Sequence, residues 1–156
     1  MNYTIRKYEE SDSTIWDEFL EKQAINGTFL QSRRFLSYHP KERFKDASYM
    51  IYDAKGNLSA ICPGCVINQE NEKIYFSHKG STYGGIIFNK KNYTIEKVLE
   101  IIQTIENELY NENYQEVWLK ITPSIFSIEA DDLLKYCLCY SGYEEYKELN
   151  LYVDLS

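Results

Sequence analysis

The sequence predicts a mixed α/β domain with elements in the order β-α-α-β-β-β-α-β-α-β. Residues 47–77 hold strand-length apolar runs parted by turn residues, which reads as an antiparallel trio. Thr94 opens a long stretch with apolar side chains at 3.6-residue spacing. The later strands are separated by helices, so crossovers add parallel strands to the sheet. At 156 residues, 44% hydrophobic, with seven glycines and three prolines, the chain is long enough for one core. It shows no repeat or linker, and residues 1–156 are expected to form a single domain.

Each element has its own signal. Tyr3 to Tyr8 alternates as a first strand, and Glu9-Glu10-Ser11-Asp12-Ser13 offers an N-cap with acids in the first turn. Ile15, Trp16, Phe19, Leu20 and Ala24 then share a helical face, which Asn26-Gly27 is expected to close with a left-handed cap. A shorter helix follows, with Phe29, Phe35, Leu36 and Tyr38 as its apolar residues and Pro40 as its stop. Ala47–Tyr52 and Leu58–Ile67 form a hairpin around Gly56, and Pro63-Gly64 suggests a bulge or an exposed edge in its second strand. Gln69 to Glu72 turns the chain into a third strand, Lys73–Ser77. Thr94 caps a helix whose face carries Ile95, Val98, Leu99, Ile102, Ile105 and Leu109. Gln115–Ile121 is the next strand, Ala130–Tyr140 a helix closed by Gly142, and Tyr146–Leu155 a final strand.

The third strand runs into Ser77-His78-Lys79-Gly80-Ser81-Thr82-Tyr83-Gly84-Gly85, where three glycines let the backbone approach a ligand and the side chains supply donors, acceptors and a titratable ring. A tight turn between two strands is the simpler account of the same residues. Ligands of mixed sheets favour strand ends beside a crossover helix, and this loop occupies that position. Arg33, Arg34 and His39 form a cationic cluster that reads as a solvated face or an anion clamp.

Seventeen basic against 24 acidic side chains leave a net charge of −7, which argues against bulk nucleic-acid binding. No apolar run is long enough to span a membrane, and the N-terminus has no apolar core of a secretion signal, so the expected compartment is the cytoplasm. Cys62-Pro63-Gly64-Cys65 and Cys137-Leu138-Cys139 raise redox and zinc readings. The first pair lies in a strand-like run rather than at a helix start, and the two pairs are far apart in sequence, so reduced, metal-free thiols are expected. The 15 tyrosines are scattered, which suits half-buried strand positions better than a stacking platform.

The element order resembles the acyl-CoA N-acyltransferase (GNAT) fold. The wording of Asn26-Gly27-Thr28-Phe29-Leu30-Gln31-Ser32-Arg33-Arg34-Phe35-Leu36-Ser37-Tyr38-His39-Pro40, with Ser77 to Gly85, is similar to the FemAB-like branch, across essentially the whole chain. That branch typically carries two such lobes in tandem, and this chain resembles the N-terminal one. The resemblance implies transfer of an acyl or aminoacyl group to an amine of a cell-envelope precursor or nucleotide sugar, with a CoA thioester or charged tRNA as donor. The family's pyrophosphate loop, Arg or Gln, two residues, Gly, one residue, then Gly or Ala, is not found. Gly80, Gly84 and Gly85 lie near its place with different spacing, and Lys79 is the nearby cation.

Acylation of an amine needs a base, donors for the carbonyl and an acid for the leaving group. His78 as base and Tyr83 as acid are the catalytic candidates. Arg33, Arg34, His39, Lys79, Gly80, Ser81, Thr82, Gly84 and Gly85 are the substrate-binding ones, with the N–H groups of Gly84 and Gly85 beside the carbonyl. No cofactor is expected to bind tightly, and acyl-CoA enters as a donor substrate beside a small-molecule acceptor. The alternative is a noncatalytic acceptor-binding or assembly module. Leu149, Leu151, Val153 and Leu155 line one side of the last strand, an edge that invites a homodimer or a second lobe.

Overall fold

A computed structural model describes residues 2–40, 42–128 and 132–146. In chain order these form β1 (Tyr3–Lys7), α1 (Ser13–Lys22), α2 (Arg33–Leu36), β2 (Lys45–Asp46), β3 (Tyr49–Asp53), β4 (Leu58–Cys62), β5 (Cys65–Gln69), β6 (Glu72–Phe76), β7 (Ile87–Phe88), α3 (Ile95–Asn111), β8 (Glu116–Trp118) and α4 (Leu133–Tyr140). One sheet has the order β1-β3-β4-β7 and is antiparallel; the other has the order β2-β5-β6-β8, with β8 parallel to β6 as the crossover requires.

Period-2 alternation assigns the two faces of the first sheet. Tyr3, Tyr49, Ile51, Ala60, Cys62 and Phe88 pack with Val98, Ile101, Ile102, Ile105 and Leu109 of α3 and Leu134, Cys137 and Leu138 of α4. Met50, Ile61 and Ile87 face the other way and pack with Trp16 and Phe19 of α1. The 3.6 pattern read for the long helix therefore marks its buried stripe, although Ile95, at its first position, is 48% exposed.

The β3–β4 hairpin turns at Gly56, whose φ is +80°. Glu70 and Asn71, with φ of 50° and 72°, make the tight turn between β5 and β6. Pro63-Gly64 is neither bulge nor exposed edge. It is a buried corner at which one covalent strand leaves the first sheet as β4 and enters the second as β5. Gly64 is required there because a Cβ would stand 2.2 Å from the Tyr75 ring.

Asn26-Gly27 does not cap α1, which ends at Lys22 with Gln23 as its cap. Gly27 is a close-packing residue instead, since a Cβ would lie 2.6 Å from Leu20 Cδ2. The glycine-rich loop does rejoin the sheet, as β7. The last predicted strand, apart from Tyr146, and the apolar row Leu149 to Leu155 proposed as a dimer edge lie outside the described residues, as do the first two residues of the helix read as Ala130–Tyr140.

Candidate functional site

A cleft of about 810 Å³ opens where the end of β1, α1, α2 and β2 meet, and Tyr8, Asp17, Arg33, Arg34, His39, Phe44, Asp46 and His78 are among the residues that line it. Ser32 caps α2 by accepting the Phe35 N–H, and Asp17 of α1 accepts the N–H groups of Arg33 (2.6 Å) and Arg34 (3.2 Å). These bonds fix the first turn of α2 and aim Arg33 inward. Its guanidinium carbon lies 3.4 Å from the Tyr8 ring centre and 4.0 Å from that of Trp16, two rings inclined at 74°. Nη1 meets Asp46 Oδ2 at 2.5 Å, while Nε and Nη2 are buried without a hydrogen-bond partner among the described residues.

Two imidazoles flank Phe44, with ring centres 5.1 Å and 5.5 Å from it for His39 and His78. Their hydrogen bonds assign opposite tautomers. Gly80 O can only accept, so the 2.7 Å contact makes His39 Nε2 the donor, and in the neutral ring the lone pair is on Nδ1. The Gly80 N–H donates to His78 Nδ1 at 3.3 Å, so His78 carries its proton on Nε2. Burial lowers the His78 pKa to about 4, with Asp46 working against the shift and Arg33 and His39 adding to it. At neutral pH His78 is thus uncharged, a donor through Nε2–H whose Nδ1 lone pair is engaged by the Gly80 N–H. Gly80 must be glycine, because a Cβ would come within 2.5 Å of His39 Nε2.

The remaining loop residues turn away from this cleft. Tyr83 is half-buried against Phe126, 5.8 Å between ring centres, and Thr82 is exposed. Ser81 Oγ donates to Leu30 O, and Lys79 lines a smaller groove beside Phe76 and Trp118. The Gly84 N–H is spent on Lys120 O at 2.8 Å, so it is not free to polarise a substrate carbonyl. Gly85 has a φ of +72° and a Cβ there would sit 3.0 Å from Ile121 Cα, so both glycines serve the packing of the loop against the segment after β8. Of the residues singled out in sequence, the cleft gathers Arg33, Arg34, His39 and His78, with Gly80 between the two rings. Tyr8, Phe44 and Asp46 join them without any spacing signal.

The strand end beside the crossover helix, where ligands of open sheets settle, is filled by the chain itself. Asn26 Nδ2 donates to Ile86 O at 2.8 Å and Oδ1 accepts the Phe88 N–H at 2.9 Å, while the Ile25 N–H takes Phe88 O at 2.9 Å. Gln31, fully buried, ties Gly84 O to Thr122 Oγ1 alongside. Between β7 and α3 lies Asn89-Lys90-Lys91-Asn92-Tyr93-Thr94, so Lys90 and Lys91, not Lys79, are the cations at that turn. Asn89 accepts the Lys91 N–H, Lys97 Nζ is spent on Lys91 O and Asn92 Oδ1, and hydrogen bonds from its own N–H and from Thr94 hold the Glu96 carboxylate at the helix start, lowering its pKa. A glycine-free turn with a carboxylate at the helix N-terminus is a poor cradle for the phosphates of CoA.

The described cysteines are free, and burial pushes the Cys62 thiol up to about 12 and Cys65 upward as well. Among the described residues no group of His, Cys, Asp and Glu is placed to hold a metal, and no helix is long and apolar enough to cross a membrane.

No family profile and no curated protein matches the sequence. Solved structures do share its architecture. An aminoglycoside acetyltransferase from an uncultured soil metagenomic sample aligns over 99% of this chain and 100% of its own, with a TM-score of 0.57 and 7% identity. An aminoglycoside 6'-N-acetyltransferase from Acinetobacter baumannii aligns over 97% of each chain (TM-score 0.53, 9% identity). Glucosamine-6-phosphate N-acetyltransferase from Arabidopsis thaliana aligns over 99% of this chain and 100% of its own (0.50, 14%). The mixed α/β fold is that of GNAT acetyltransferases, as the element order implied.

Proposed function

We propose that this chain serves the transfer of an acyl or aminoacyl group to an amine, and that the cleft beside α2 holds the acceptor. The observation that carries the reading is His39. Its Nε2–H is pinned to the Gly80 carbonyl, which leaves Nδ1 as an oriented proton acceptor at the wall of a cleft of small-molecule size. An ammonium must lose a proton before its nitrogen attacks the acyl carbon. His39 takes that proton, and His78 Nε2–H, neutral across the physiological range, donates to an oxygen of the bound molecule. Tyr83, packed against Phe126 and not among the residues that line the cleft, is given no part in this scheme.

The acceptor class in this reading is an amine of a cell-envelope precursor or nucleotide sugar, as in FemAB-like proteins, in the cytoplasm. The poor phosphate cradle supports a donor carried by a second lobe or a second copy of the chain in this reading. The test is to incubate the chain, with acetyl-CoA and a panel of amines, and follow amide formation by mass spectrometry. Loss of about 10²–10⁴-fold in rate is expected for His39→Ala. Undiminished transfer in that variant removes His39 from the chemistry.

A second reading, a noncatalytic acceptor-binding module, is favoured by the closed outer edge of β7 and the carboxylate at the start of α3. Amine binding without amide formation under any pairing of the chain selects it.

A further inference from the structure

Arg33 is 6% exposed, and its guanidinium is only half used. Nη1 is bound to Asp46, but Nε and Nη2 have no partner among the described residues. Those two nitrogens form one edge of the guanidinium plane, with parallel N–H bonds spaced to meet the two oxygens of a carboxylate or a phosphate. Buried charged donors without acceptors are uncommon, and each asks for an explanation. His78 offers a further donor from the opposite element. It is 4% exposed, its Nδ1 accepts the Gly80 N–H, and among the described residues no hydrogen bond is formed by its Nε2–H. Both side chains line the cleft, and the Arg33 charge is one of the influences that keep the His78 ring neutral.

From this juxtaposition we infer that the inner wall of the cleft receives an anionic group of the acceptor, taken by the Nε–Nη2 edge of Arg33 with the His78 Nε2–H as a third donor. The inference rests on the cleft being the acceptor site. It makes the acceptor an amine that also carries a carboxylate or a phosphate, rather than a polycation. Glu10 and Glu42 line the same cleft and supply counter-charge for the ammonium end, so the wall is complementary to a molecule of both signs. The competing account of the Arg33 edge is that its N–H bonds rest on the face of Trp16, which lies steeply inclined to Tyr8.

Nuclear magnetic resonance titration at constant ionic strength decides between them, reading the side-chain signals of Arg33 Nε–H and His78 Nε2–H. The probes are β-alanine, O-phosphoethanolamine and putrescine. Saturable shifts of both signals with β-alanine or O-phosphoethanolamine, and none with putrescine, are expected, and the tighter of the first two names the anion. Arg33→Lys keeps the charge and deletes the paired edge, so binding should weaken by about tenfold or more. His78→Phe, which leaves the Arg33–Asp46 pair intact, should weaken it as well and serves if the lysine variant does not fold. Silence of the Arg33 signal under every probe, or saturation by putrescine alone, overturns the inference. Anion binding at Arg33 without acylation of any amine would remove the transferase reading and leave this one standing. Acylation of putrescine as readily as of O-phosphoethanolamine would do the reverse.

Discussion

Asn26 offers the sharpest test of how the strand end beside α3 is closed. Its carboxamide meets Ile86 O and the Phe88 N–H, on residues that are 1% and 0% exposed. Asn26→Ala deletes both partners at once and leaves two backbone groups dry. Each orphan costs about 1–3 kcal/mol, so a loss of roughly 2–5 kcal/mol is expected, partly relieved where water enters the space vacated. For a domain of this size that is a fall in Tm of roughly 5–15 °C. Asn26→Asp keeps the acceptor for Phe88 but sets an oxygen against Ile86 O, so it should be at least as damaging at neutral pH and should recover partly in acid, where a protonated carboxyl can donate. Urea titrations followed by tryptophan fluorescence give the free energies by linear extrapolation. A loss below about 0.5 kcal/mol for the alanine variant would show that water, not Asn26, satisfies that edge and that the strand end is open to ligands.

Other consequences can be measured in the same preparations. His78 has a native pKa of about 4 against an ordinary 6.5, so the unfolded chain binds the extra proton. Stability is then full above pH 6.5 and falls as the pH drops toward 4, by about 2 kcal/mol between 6.5 and 5. His78→Asn should flatten that slope, and parallel slopes in the two proteins would refute the assignment. CoA and acetyl-CoA should bind the isolated chain no better than millimolar, and a micromolar dissociation constant by calorimetry would reinstate a self-sufficient acetyltransferase. Gly80→Ala drives a methyl group into His39 Nε2 and should cost about 1–3 kcal/mol while abolishing amide formation. Retained transfer in a folded Gly80→Ala protein would separate His39 from the reaction. Light scattering across a range of concentrations checks the expected self-association.

Local periodicity made most of the fold legible. The α3 stripe and the β3–β4 hairpin depend on neighbours within a few residues, and both stand where the pattern put them. Asn26-Gly27 misled because the pair is a common helix terminator, whereas here Asn26 is bonded to residues 60 and 62 positions away and Gly27 is packed against Ile87. Pro63-Gly64 signalled an irregular strand correctly, but nothing local says that the strand changes sheets. At the site, the loop drew attention for its glycines, yet its contribution to the cleft is His78 and the backbone of Gly80. Arg33 and His39 were legible as a cationic cluster. Their partners were not, since Tyr8, Phe44 and Asp46 are brought in by packing, and imidazole tautomers are set by carbonyls and amides that no sequence pattern records.

Gln31 has a consequence for the order in which the molecule can be built. Its amide nitrogen reaches Thr122, 91 residues onward, and the Asn26 bonds to β7 span about 60. Contacts so distant in sequence close only after the intervening loops have lost their entropy, which places them among the slow events of folding. During synthesis, a nascent chain that has not yet delivered Thr122 holds the α1–α2 connection without its anchor. Residues 24–31, which lead from α1 into the α2 side of the cleft, therefore wait on the ribosome for most of the chain to emerge, and a fragment ending before β8 should show helix α1 but no ordered binding surface.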